Sequence, residues 1–122
     1  MKPTTLMLAA VALSATACYL ASSAAAVEAC GVTIPLACPS SNPPSYASDV
    51  APILSTYCTT CHNPNGQESS KPLDSYTGVS SLASSVESQI STCSMPLSGN
   101  PQPSASDRDV VVAWIVCGAQ NN

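Results

Sequence analysis

The chain has 122 residues, which leaves room for one domain. Seven carboxylates face three cations, for a formal net charge of -4. That balance disfavours nucleic acid and anionic membrane as partners and suits a protein with a basic docking surface.

The first 26 residues read as a signal peptide. Met1-Lys2 is a short positive start, Leu6 to Leu13 is an apolar run, and small residues follow. The run is shorter than the ~20 apolar residues of a membrane span. Two processing sites compete. Ala24-Ala25-Ala26 would release a mature chain beginning at Val27, whereas Ala15-Thr16-Ala17-Cys18 would lipidate Cys18 and anchor the protein to a membrane. Either way the expected location is outside the cytoplasm, periplasmic or extracellular. Beyond Ala26 the seven carboxylates remain, against only Lys71 and Arg108.

Residues 27–45 form a Pro/Ser-rich N-terminal extension punctuated by Pro35, Pro39, Pro43 and Pro44. The folded unit, 46–122, opens on a helix with Ser48 or Asp49 as its cap and Pro52 tolerated in the first turn. Val50, Ile53, Leu54 and Tyr57 give it a core-facing stripe. Asn63-Pro64-Asn65-Gly66 turns the chain. A second helical stretch is predicted from Asp74 to about Val79. A third runs from Leu82 to Ile90, with Leu82, Val86 and Ile90 four apart. Pro96 to Pro103 reads as a loop. Ser106 and Asp109 then have the spacing of a capping box, and the last helix passes through Val110, Trp114, Ile115 and Cys117 until Gly118 stops it. Its β-branched run also allows a strand; the cap, the stop and the Trp114 spacing favour helix.

Between the first and second helices stands Cys58-Thr59-Thr60-Cys61-His62, with the only histidine of the chain directly behind a C-x-x-C pair. That string is the pattern of c-type haem attachment: two sulfurs add to the haem vinyl groups as thioethers, and the imidazole lies under the iron. A thioredoxin-like dithiol would need a βαβ context, a zinc site four ligands, and the plainest alternative is a disulfide pair that precedes a histidine. With the histidine so used, no base remains to activate a serine nucleophile, and hydrolytic catalysis is not expected. Electron-transfer haem iron usually carries two axial ligands. A second histidine does not exist, and Met1 and Met7 fall in the signal segment, so Met95, in Ser94-Met95-Pro96, is the expected sixth ligand. Lys71 or an open position is the residual choice.

Cys30, Cys38, Cys93 and Cys117 remain. An oxidising compartment would pair them. Local closure favours Cys30–Cys38, with Cys93–Cys117 as a longer clip.

With these residues placed, the chain resembles the class I monohaem cytochromes c, above all small bacterial exported domains. The resemblance rests on Asp49-Val50-Ala51-Pro52-Ile53-Leu54 ahead of the Cys58–His62 motif, on Leu73-Asp74-Ser75-Tyr76, on Met95-Pro96, and on Trp114-Ile115-Val116-Cys117-Gly118-Ala119, about residues 46–119. It implies an all-α, cytochrome c-like domain wrapped round one covalent haem c, with first and last helices crossing and Trp114 packed in that crossing. Residues 27–45 and the four further cysteines fall outside the pattern. A chain with no Phe has a thin core, and a covalent haem and disulfides are the kind of staple it needs. The expected function is one-electron transfer between a donor and an acceptor protein, not enzymatic turnover. A haem-based sensor of small ligands and a haem-free, disulfide-rich interaction module are the alternatives.

Overall fold

Local hydrogen bonds at the helix ends explain most of the architecture. The computed structural model describes residues 26–27 and 30–122; the expected signal segment, with both processing sites and Cys18, lies outside that range except for Ala26. A short antiparallel ribbon comes first, β1 (Ala26–Val27) and β2 (Thr33–Ile34), with Ala26 opposite Ile34. A π-helical turn, Tyr46–Val50, runs directly into α1 (Ala51–Tyr57). Three more helices follow: α2 (Tyr76–Ser81), α3 (Ala83–Ser91) and α4 (Ala105–Val116). The domain is all-α, as expected.

The first helical segment begins earlier than Ser48. Ser45 is its cap: the Ser45 hydroxyl accepts from the Ser48 amide at 3.1 Å, and Asp49 Oδ2 accepts from the Ser45 amide at 2.7 Å. Pro52 sits at the head of α1, where its missing N–H does least harm. The cap of α4 also shifts. Ser104, not Ser106, accepts from the Asp107 amide at 3.1 Å, and Asp107 Oδ2 accepts from the Ser104 amide at 3.2 Å. Both Ser-x-x-Asp frames satisfy the pattern. A tertiary bond separates them: Asp109 Oδ1 accepts from the Thr33 amide at 2.6 Å and ties β2 to α4. At the other end the β-branched run stays helical and stops in a Schellman turn. Gly118 adopts φ +89, its amide donates to Ile115 O at 2.9 Å, and the Ala119 amide donates to Trp114 O at 3.0 Å.

α4 packs against α3 and meets the first helical segment at the Tyr46–Val50 turn. Trp114, Leu54, Val50, Val79, Val111 and Val112 are fully buried. The Trp114 ring lies 5.7 Å from that of Tyr46 and 6.5 Å from that of Tyr76. Its Nε1 donates to Gln120 O at 2.9 Å, and Tyr76 Oη donates to Ala119 O at 3.0 Å, so the aromatic cluster also fastens the C-terminal residues.

The disulfides correct the expected pairing. Cys30 bonds to Cys93 and Cys38 to Cys117, across sequence separations of 63 and 79; neither Cys30–Cys38 nor Cys93–Cys117 forms. The cause is the extension itself. Val32 is wholly buried in the core, which lays the segment on the helical body. Cys30 then meets Cys93, two residues past α3, and Cys38 meets Cys117, the residue that follows α4. Tertiary packing overrides the short-range closure that spacing alone would favour.

Candidate functional site

α1 does not end at Tyr57 in any abrupt way. The Cys58 amide donates to Leu54 O at 2.8 Å, and the His62 amide donates to Cys58 O at 3.0 Å. One more helical turn therefore carries the motif, and Cys58, Cys61 and His62, at i, i+3 and i+4, share one side of it. All three line a cavity of about 670 Å3. That lies in the upper half of the range typical for cofactor and drug-sized ligands. Its walls are mostly apolar, with Ile53, Leu73, Leu82, Val86, Ile90 and Val111 among them. Val86, Ile90 and Val111 belong to α3 and α4, so the cavity is roofed by the helices that also build the core. Met95 also lines the cavity.

The loop after the motif is wired to hold His62. Asn63 Nδ2 donates to Thr59 O at 2.6 Å, while its Oδ1 accepts from the Asn65 amide at 2.8 Å. A Cβ on Gly66 would run into the Cys61 carbonyl, so the turn closes onto the motif only with glycine there. The His62 carbonyl accepts from the Leu73 amide at 2.8 Å. The imidazole Nδ1 lies 3.0 Å from Lys71 O. A carbonyl can only accept, so Nδ1 is the donor, and in the neutral ring that tautomer leaves the Nε2 lone pair free. This is the orienting bond a ligating histidine uses.

Cys58 and Cys61 are unpaired and half-buried, while the four other described cysteines are joined in disulfides. Burial pushes the Cys58 thiol up to about 11, against the pull of the Arg108 guanidinium and with a small push from Cys61. A neutral, shielded thiol is the result. Among the described residues no three His, Cys, Asp or Glu side chains converge on a metal-ion cage, and the only sheet is the two-residue ribbon, so the zinc and thioredoxin-like readings gain nothing. The Lys71 ammonium is exposed and pairs with Glu68 at 3.2 Å.

Met95 follows α3 by a few residues and is half-buried. Its amide donates to Gln89 O at 3.2 Å and its carbonyl accepts from the Arg108 guanidinium at 2.9 Å. Arg108 is the residue that sequence reasoning missed. It is 3 % exposed and lines the cavity from α4. A lone cation heading the apolar run Val110–Val116 was the available signal.

Two thiols, an imidazole nitrogen left bare and a thioether thus share one apolar-walled cavity, a donor set that fits a covalently tethered haem. No protein-family model, no curated protein and no solved structure matches this chain.

Proposed function

We propose that the protein is an extracytoplasmic one-electron carrier holding one haem c through Cys58 and Cys61, with His62 and Met95 as axial ligands, in a small cytochrome c-type domain. One observation carries the reading: Cys58, Cys61 and His62 of the motif and Met95, far apart in sequence, line the same cavity. When bound, haem c supplies one-electron exchange between ferric and ferrous iron.

The side chains divide the remaining work. Cys58 and Cys61 supply two sulfurs from one helical turn for thioether tethers. His62 offers Nε2, its ring fixed by the bond to Lys71 O. Met95 offers a soft, neutral thioether, which favours ferrous over ferric iron and raises the potential relative to a second imidazole. The apolar wall keeps water from the centre. The hydrogen bonds that hold the Met95 backbone favour a closed carrier over a sensor with a displaceable ligand. Acidic groups outnumber basic ones, which suits donor and acceptor proteins with basic docking surfaces. Two disulfides accord with export to an oxidising compartment. Among the described residues no helix is long and apolar enough to cross a membrane; attachment to one would rest on Cys18.

Reduced-minus-oxidised spectra of the exported protein test the proposal. Sharp c-type bands are expected, together with slow carbon monoxide binding by the ferrous form. Met95→Ala should remove the weak far-red ferric band, lower the potential and admit carbon monoxide. An unchanged spectrum and potential in Met95→Ala would assign the sixth position to another group, and rapid carbon monoxide binding without mutation would favour the sensor.

A further inference from the structure

We infer that Arg108 and Gln102 are the positioning residues for Met95, a claim that rests on the haem-carrier reading above. Arg108 is a buried cation without a counter-charge: the one ion pair among the described residues joins Lys71 and Glu68 on the surface. Burying an unpaired charge is costly unless its hydrogen bonds are met. Here they are met, and by a telling set of acceptors. The guanidinium donates to Met95 O at 2.9 Å, Gln102 Oε1 at 2.9 Å, Ile90 O at 3.1 Å and Pro103 O at 3.4 Å. Three of these four acceptors belong to the segment from Met95 to Pro103, which has no helix or strand.

Gln102 completes the fastening. Its Nε2 turns back to Pro96 O at 3.0 Å, Asn100 O at 3.1 Å and Leu97 O at 3.3 Å. The loop is thereby stitched to itself and, through one planar guanidinium, to α3 and α4 at once. A lysine cannot reproduce this, because an ammonium is a point donor without the rigid fork. Arg108 also sits on the cavity wall, so its charge opposes a further positive charge inside the cavity and raises the potential of a one-electron centre held there. Arg108 therefore acts twice, once through Met95 and once through its field.

The test uses the exported, haem-loaded full chain with Arg108→Lys, Arg108→Met and Gln102→Ala. Hydrogen bonds to a charged group of the usual strength give about a tenfold to hundredfold rise in the Met95-detached population when lost. Both Arg108 variants should lose far-red ferric band intensity and bind carbon monoxide at least about tenfold faster. Gln102→Ala should move the same way by less. In molecules that keep Met95 on the iron, only Arg108→Met should lower the potential, since Arg108→Lys retains the charge. Unchanged band and carbon monoxide rate in a folded Arg108→Met protein overturn the inference and leave the haem reading intact. If neither Arg108 variant folds, Gln102→Ala decides, because Gln102 is exposed; an unaltered band and rate there overturn it too. If the parent protein takes up no haem, the carrier reading fails by itself. The positioning claim is then read from Met95 sulfoxidation by hydrogen peroxide in the haem-free chain. Arg108→Lys should oxidise several-fold faster, and equal rates overturn the claim.

Discussion

Replacing Cys38 and Cys117 together with alanine should cost about 3.7 kcal/mol of stability, on the chain-entropy view of a cross-link. Taken alone, a bridge spanning 79 residues would be worth about 4.5 kcal/mol on that view. The Cys30–Cys93 bridge shortens the relevant loop. With it in place, the path from Cys38 to Cys117 returns to Cys30, crosses the bridge and continues from Cys93, about 32 residues in all, which gives the lower figure. Little packing is lost besides, because Cys38 is exposed and Cys117 half-buried. In urea, with a slope near 1–1.5 kcal/mol per molar for so small a domain, the midpoint should fall by roughly 3 M. No new free thiol should appear, since Cys30 and Cys93 remain joined. The local pairing makes a different prediction: the same substitutions would break two bridges, cost about 6 kcal/mol and strand Cys30 and Cys93 as thiols. A loss near that size with two titratable thiols, or an unreduced peptide map containing Cys30–Cys38, would refute the long-range pairing.

Leu54→Ala should cost about 2–5 kcal/mol, because Leu54 is 1 % exposed and its removal leaves a void beneath the motif; thermal unfolding monitored by circular dichroism measures it, and a loss below ~1 kcal/mol would contradict the core assignment. Ser104→Ala should cost about 1 kcal/mol as the lost cap of α4, while Ser106→Ala should stay within ~0.5 kcal/mol; equilibrium unfolding of the pair tells the two capping frames apart. In the haem-free chain, Cys58 alkylation by iodoacetamide should become half-maximal only near pH 11. Because the folded thiol holds its proton above the ordinary 9.0, the folded state binds more protons than the unfolded one, and stability should fall as pH rises from about 9 to about 11. Cys58→Ser should flatten that decline, and an equal slope in both proteins would place the thiol in solvent.

Helix positions were legible because their periodicity is local. Val50 and Leu54 are buried as the stripe requires, and Val86 and Ile90 face the core from α3. Ile53, of the same stripe, packs against the core and also lines the cavity, so one helix serves both the core and the site. Gly118 announced the end of α4 because only a residue at ease with positive φ completes that turn. The illegible features are tertiary. Two Ser-x-x-Asp frames overlap, and the bond from Thr33 to Asp109 selects between them from 76 residues away. The disulfides depend on where Val32 docks, which cysteine spacing does not encode. Arg108 looks like an ordinary surface charge until the loop from Met95 to Pro103 is folded over it. For the site, the motif and Met95 could be named from residue types, but their sharing of one cavity needed the fold.

Covalent haem is tested by the mass of the denatured protein, exported from a host with haem-maturation machinery. The expected mass is that of the processed chain plus one haem, retained through denaturation because Cys58 and Cys61 would hold it by thioethers. An unmodified chain from that host, with Cys58 and Cys61 as free thiols or joined to each other, would contradict it.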